Sequence, residues 1–282
     1  MCLFFYIWMV RWEESRVPRA DLGAVELYYE VHGEGQPLIL IMGLGGNADW
    51  WGDGFVRRLA AKRQVIAFDN RGAARTALRG DEHFTLAEMA GDVVGLMRHL
   101  DIAVADVFGV SMGGMIAQEV ALNYPGHVRK LILGCTTCGG KEQTPPTAEA
   151  ASMLVEQAGA AQGQMQNHLR LLFPDAFIAA NLPLLENSFR ALMRHPMPRD
   201  NYLRQLHAIK TWPGTYSRLP SITHETLVLH GTDDILIPVE NGRTLHRRLP
   251  NSTLCEYSGA GHGFTLQAAS DVLRDVESFL DA

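Results

Sequence analysis

Gly109-Val110-Ser111-Met112-Gly113 sets one hydroxyl between two glycines. A serine hydroxyl attacks a carbonyl carbon only when a base takes its proton, and that base needs a carboxylate to orient it. Both partners have candidates near the C-terminus. His262 lies in Gly259-Ala260-Gly261-His262-Gly263-Phe264, and the adjacent acids Asp233 and Asp234 follow Thr232. The chain order serine, acid, histidine is one in which such constellations recur. A fourth stretch, Gly43-Leu44-Gly45-Gly46, offers backbone amides. Acyl transfer builds negative charge on the carbonyl oxygen, and each amide aimed at it is worth about 3–4 kcal/mol. The Leu44 and Met112 amides are the candidate pair. The glycines match neither G-x-x-x-x-G-K-[ST] nor G-x-G-x-x-G, so a phosphate loop is not indicated.

These residues are useful only if the elements around them hold them at one place. Val104 to Val110 is a short apolar run with β-branched residues around Phe108, which predicts a buried strand. From Met115 the pattern turns helical, with Met115, Ile116, Val120 and Ala121 on one face. Strand, glycine-flanked serine and helix together make a nucleophile elbow, in which the serine sits on a strained turn and its glycine neighbours have no Cβ to clash. Strands are also expected at Leu22–Val31, Leu38–Met42, Gln64–Phe68, Val128–Gly134, Glu225–His230 and Ser252–Tyr257. Helices are expected at Trp50–Ala61, Phe84–Leu100 (with a Thr85/Glu88 capping box), Asn241–Leu249 and Leu266–Leu280. The alternation predicts a mostly parallel sheet with helices on both faces, and a site beyond the carboxyl ends of its strands. Both Gly43–Gly46 and Ser111 fall at such ends.

Residues 139–220 break the rhythm. They show no strand pattern but four helical ones, at Ala148–Ala158, Gln164–Leu172, Pro183–Met193 and Asn201–Ile209. The expected organisation is an extension over 1–20, an α/β core over 21–138 and 221–282, and a helical cap over 139–220. Gly43, Leu44, Met112, Trp212 and Phe264 are the candidate pocket walls, which would suit apolar acyl or alkyl groups.

The chain has 282 residues, is 47% hydrophobic and carries a net charge of −6. That is enough for a sizeable core, and without a basic face it gives no footprint for nucleic acid. The four cysteines are too sparse for a disulfide framework, which suits a reducing cytoplasm. Cys135-Thr-Thr-Cys138 reads as a strand end and a loop residue, and no metal or redox use is expected of it. Residues 1–10 are nearly all apolar but too few to span a bilayer, so no stable membrane insertion is expected. They read as a misplaced start ahead of Met9 or as an arm packing on a partner chain, the one pointer to a homodimer. Of eleven histidines, His83, His99, His127, His168, His195, His207 and His246 read as surface or helix positions, and His230 as a buried structural group. Arg71, in Asp69-Asn70-Arg71-Gly72, reads as an ion pair pinning its loop.

Taken together, I-M-G-L-G-G, F-D-N-R-G, G-V-S-M-G-G, H-G-T-D-D-I-L-I-P and G-A-G-H-G-F resemble the α/β-hydrolase superfamily from about Leu22 to the C-terminus. Within it the chain is most similar to the bacterial carboxylesterase and 3-oxoadipate enol-lactonase branch. The resemblance implies an α/β-hydrolase fold and a triad of Ser111, Asp234 and His262. Asp234 is chosen over Asp233 because the family's acid lies four residues before a proline. It implies no metal and no organic cofactor. Met42-Gly43 stands where many members have His-Gly, and Ala74 and Thr76 replace a glycine and a serine of the loop after F-D-N-R-G. The implied activity is hydrolysis of a small ester or lactone through an acyl-enzyme. The alternatives are C–C bond hydrolysis or cofactor-free perhydrolysis on the same triad, and a non-catalytic small-molecule binder on this scaffold.

Overall fold

The structure, a computed structural model, describes residues 18–80, 83–156 and 164–282. The apolar decapeptide and the C-terminal end of the helix expected at Ala148–Ala158 lie outside the described residues. The strands are β1 (Arg19–Asp21), β2 (Val25–His32), β3 (Gln36–Ile41), β4 (Arg63–Phe68), β5 (Ala77–Leu78), β6 (Ala105–Val110), β7 (Val128–Gly134), β8 (Glu225–Gly231) and β9 (Ser252–Tyr257). The helices around them are α1 (Asp53–Ala60), α2 (Leu86–His99) and α3 (Met112–Asn123). Four follow between β7 and β8: α4 (Ala148–Glu156), α5 (Gln164–Leu172), α6 (Asp175–Leu192) and α7 (Arg199–Thr211). The last are α8 (Glu240–Arg248), α9 (Phe264–Gln267) and α10 (Ala269–Asp281).

One sheet runs in the order β1-β2-β4-β3-β6-β7-β8-β9, with β5 beside β2. From β4 through β9 every neighbour is parallel, while β2 is antiparallel to both β1 and β4. The continuous apolar runs are the central strands because both of their faces are covered. Successive β3 residues show this. Ile39 and Ile41 face the core layer of α2, α3 and α8, whereas Leu38 and Leu40 face that of α1 and α10. The expected α/β architecture is therefore present.

Several boundaries differ from the expectation, each for a local reason. The helix expected over Trp50–Ala61 is a 3₁₀ turn, Ala48–Trp51, then α1, because Gly52 between them takes φ +74°. The closing helix is broken at Ala268, φ −116°. The helix α6 starts at Asp175 rather than Pro183. It kinks at Asn181 (φ −127°), just before the proline, and the Asn181 side-chain amide donates to the Phe177 carbonyl. The Thr85/Glu88 capping box is present as expected.

The loops after β3 and β4 are tied together below the site. Asp69 is fully buried, and its carboxylate accepts from the Ala48 amide (2.8 Å), the Arg75 amide (3.0 Å) and the Arg75 guanidinium (2.8 and 2.9 Å). Asn70 donates to the Met42 carbonyl at 2.7 Å. Arg71 forms the expected ion pair, bidentate to Asp92. Ala74, in place of the usual glycine, still has φ +38°, so this loop keeps its left-handed turn despite the Cβ. Asp69→Asn removes one of two carboxylates that hold the half-buried Arg75, which Asp49 still meets at 2.9 Å, and is expected to lower stability by about 2 kcal/mol in urea unfolding. A loss under about 1 kcal/mol would mean that the loops are held by packing alone.

Candidate active site

Ser111 joins β6 to α3 with φ +56° and ψ −123°, a conformation that L-residues rarely hold. Two close backbone approaches impose it. A Cβ at Gly109 would stand 2.1 Å from the Gly113 carbonyl oxygen, and one at Gly113 would stand 2.0 Å from that of Ile41. Only glycine fits at either place. The turn is fastened by Ser111 N–H donating to Gly134 O (2.9 Å) and Thr136 Oγ1 donating to Ser111 O (2.7 Å). Because α3 begins at Met112, that amide belongs to the first turn, whose N–H groups have no partner within the helix. No acidic side chain in this turn offsets the positive helix end.

The glycine loop after β3 lies directly against the serine. A Cβ at Gly43 would stand 3.0 Å from Ser111 Cβ and 3.5 Å from Oγ. Gly43 to Gly46 closes as a turn (Gly46 N to Gly43 O, 3.2 Å), with Gly45 at φ +74° as a type II turn requires at its third position. The Gly45 amide donates to Gln205 of α7, whose side chain in turn donates to the Arg71 carbonyl. Leu44, the second residue of this turn, borders the same cavity as Ser111. The Met112 side chain does not; it is fully buried in the core, so Met112 can serve the site only through its backbone.

At the ends of β8 and β9, burial separates the two adjacent acids. Asp233 is exposed, whereas Asp234 is buried. Asp234 Oδ1 accepts from the Leu236 and Ile237 amides at 2.9 and 2.8 Å. Its Oδ2 lies 2.7 Å from His262 Nδ1. A carboxylate only accepts, so Nδ1 carries the proton and Nε2 is left as the basic nitrogen. The turn bearing His262 rests on α5 through Gly263 N–H donating to Leu172 O at 2.7 Å.

Ser111 and His262 line one cavity of about 160 Å³. Gly43 and Phe264 border it, as expected. Its opposite wall comes from the helices between β7 and β8, including Leu154, Leu169, Leu172, Leu185 and Phe189. Trp212 corrects the expectation. It is not among the cavity residues, because its indole N–H donates at 2.8 Å to the buried carboxylate of Glu119 on α3. His168, read from sequence as an ordinary helix position, lies in the cavity wall instead. Its ring meets Trp50 edge-on at 4.9 Å and packs on Phe189 at 5.3 Å. The signal was present in the spacing, since Met165, His168, Leu169 and Leu172 share one face of α5.

Residues 36–269 match the family model described as alpha/beta hydrolase fold. The chain belongs to this family. It is 30% identical over 259 residues to a protein of Caulobacter sp. (strain K31) named "Putative carbamate hydrolase RutD", a match covering 90% of this chain and 95% of that one. Among solved structures it resembles an enol-lactonase from Burkholderia xenovorans LB400 (TM-score 0.82, 24% identity, 94% of this chain and 100% of that one). It also resembles a hydrolase from Pseudomonas aeruginosa PA01 (TM-score 0.83, 22% identity, 95% and 100%). At these identities the structural likeness speaks for the α/β-hydrolase fold alone. Among the described residues no helix is long and apolar enough to cross a membrane.

Among the described residues, Cys135, His230 and Asp234 bring donor atoms within 4.8 Å of one another, the spacing of a small metal site. Asp234 accepts from three N–H groups, and His230 Nε2 lies 2.7 Å from the Ile237 carbonyl. Burial, then the Asp234 charge, push the Cys135 thiol up. In the cavity wall, burial and then the nearby His262 push His168 down to about 4. An unfolded chain would titrate this histidine near 6.5, so it takes up a proton that the native state refuses between about pH 6.5 and 4. Native stability therefore falls as pH falls through that window. Between pH 7 and 4.5 the wild type is expected to lose about 2.5 kcal/mol more than His168→Gln in paired urea titrations. Equal losses would mean that the ring is protonated in the native state.

Proposed function

We propose that the protein is a serine hydrolase that cleaves a small carboxylic ester or lactone through an acyl-enzyme. The observation that carries this reading is the buried Asp234 carboxylate on His262 Nδ1, with His262 and the strained Ser111 on one cavity. Family membership supports hydrolytic chemistry in general. In this reading His262 Nε2 takes the Ser111 proton as Oγ adds to the carbonyl carbon. The Leu44 and Met112 amides receive the oxyanion. Collapse breaks the bond to the leaving alkoxy oxygen, which takes the proton from His262. Water, deprotonated by the same ring, then adds to the acyl carbon and frees Ser111 and the acid. Asp234 keeps the imidazole in the right tautomer and stabilises the imidazolium between these transfers. A cavity of about 160 Å³ is close to the volume that admits a benzene-sized molecule, which suits a small acyl or lactone group.

Labelling with a fluorophosphonate tests the reading. The wild type should label rapidly, Ser111→Ala not at all, and His262→Ala roughly a thousandfold more slowly or worse. A panel of esters, lactones, a carbamate and a vinylogous diketone, with and without peroxide, then fixes the bond cleaved. A folded wild type that neither labels nor turns over any of these would make the protein a binder on this scaffold.

A further inference from the structure

The helix α7 is seated on the glycine loop that follows β3. Asn201, Tyr202 and Gln205 share one face of it. Asn201 Nδ2 donates to the Gly72 carbonyl at 3.0 Å. The Tyr202 ring lies against Gly45, where a Cβ would stand 3.2 Å from ring atoms Cδ2 and Cε2. Gln205 is fully buried. Its Oε1 accepts from the Gly45 amide at 3.0 Å, and its Nε2 donates to the Arg71 carbonyl at 2.9 Å. A carbonyl only accepts and an amide N–H only donates, so this bridge needs one side chain that does both, in a fixed order. The Arg71 carbonyl holds Nε2 and thereby leaves Oε1 to the Gly45 amide.

That amide belongs to the peptide between Leu44 and Gly45, the central peptide of the turn. The type I and type II forms of a turn differ by a rotation of this peptide, and glycine at the third position permits either. Gly45 at φ +74° is in the type II form, with its N–H on Gln205. In the other form the Leu44 carbonyl would face Oε1, oxygen against oxygen, and ψ at Leu44 would change by about 150°. The core ties from Asn70 and Asp69 reach Met42 and Ala48, on either side of the turn, while the side-chain hydrogen bond on its central peptide comes from α7. We infer that Gln205 is a positioning residue for the hydrolysis proposed above, on which this inference rests. It holds the glycine loop in the form that presents the Leu44 amide to the oxyanion beside Ser111. The oxyanion exists only after Oγ has added, so this hold acts on the transition state and not on the ester as it binds.

Gln205→Met, which keeps the length of the side chain and removes both hydrogen bonds, tests this on p-nitrophenyl acetate and p-nitrophenyl butyrate. Its kcat should fall about thirtyfold, with KM within about twofold of wild type. A trifluoromethyl ketone carrying the same propyl chain gives a second readout. Ser111 Oγ adds to its carbonyl carbon, His262 Nε2 takes the hydroxyl proton, and the ketone oxygen becomes the bound oxyanion. Its Ki should rise by the factor by which kcat/KM falls. Asn201→Ala removes the bond of the same helix to Gly72, controls for a general loosening of α7, and should change kcat by less than about twofold. A kcat within about threefold of wild type in Gln205→Met, a loss confined to KM, or an equal loss in Asn201→Ala overturns the inference. Fluorophosphonate labelling of the wild type keeps the two readings apart. Wild type that labels and turns over, with Gln205→Met its equal, refutes this inference alone. Wild type that neither labels nor turns over refutes the hydrolase reading and this inference with it. If Gln205→Met does not fold, Gln205→Asn, too short to span both partners, is judged by the same split between kcat and KM.

Discussion

The structure depends first on a backbone-to-backbone contact that leaves no room for a methyl group. The start of α3 is pressed against the end of β3 at Gly113 and Ile41, and against the end of β6 at Gly109. Because the helix cannot lift away, the one residue between strand and helix must absorb the turn, and Ser111 does so at φ +56°. The same contact brings the loop after β3 to the serine, so that Gly43 lies beside its Cβ. The placement of the hydroxyl and of the amides around it is one consequence of sheet packing rather than several separate features. The ties from Asp69 and Asn70 then keep the β3 loop from drifting off the serine.

The acid is positioned by backbone more than by charge. Asp234 Oδ1 is held by two consecutive amides of the turn that follows it, which fixes the plane of the carboxylate and aims Oδ2 at the imidazole. These N–H donors stabilise a buried anion without placing a competing cation next to His262. His230, behind the carboxylate, is held by the Ile237 carbonyl of the same turn, and burial disfavours its charged form. The acid, its turn and the neutral histidine behind it therefore form one rigid support at the ends of β8 and β9.

Much of this was legible because it is local. Glycines two residues either side of Ser111, a continuous apolar strand before it and a helical period after it are all short-range facts, and they fixed the elbow. The fold class followed from repetition of the same pattern, and the capping box of α2 from two residues at the right spacing. What escaped was set by contacts distant in sequence. Trp212 looked like a pocket residue, but its indole is claimed by Glu119, a buried acid on α3. Choosing Asp234 over Asp233 took a family pattern, because only burial tells the neighbours apart. The breaks at Gly52, Asn181 and Ala268 are single-residue departures inside otherwise periodic stretches, which a periodicity reading averages away. His168 was passed over because a lone histidine on an apolar helical face is usually a packed core residue; here that face borders a cavity.

The chemistry of an apolar cavity explains why a histidine, rather than a lysine or arginine, suits this wall. Exclusion of water strengthens the dipoles that meet a developing oxyanion, and it raises the cost of any charge that is not paired. In the proposed acyl transfer, His262 would become a transient imidazolium. A permanent cation in the facing wall would oppose that imidazolium at the moment it forms. His168 is close enough for the His262 charge to depress its own protonation, and burial acts in the same direction. The two rings are thus biased against sharing charge, and only the one backed by Asp234 is equipped to carry it.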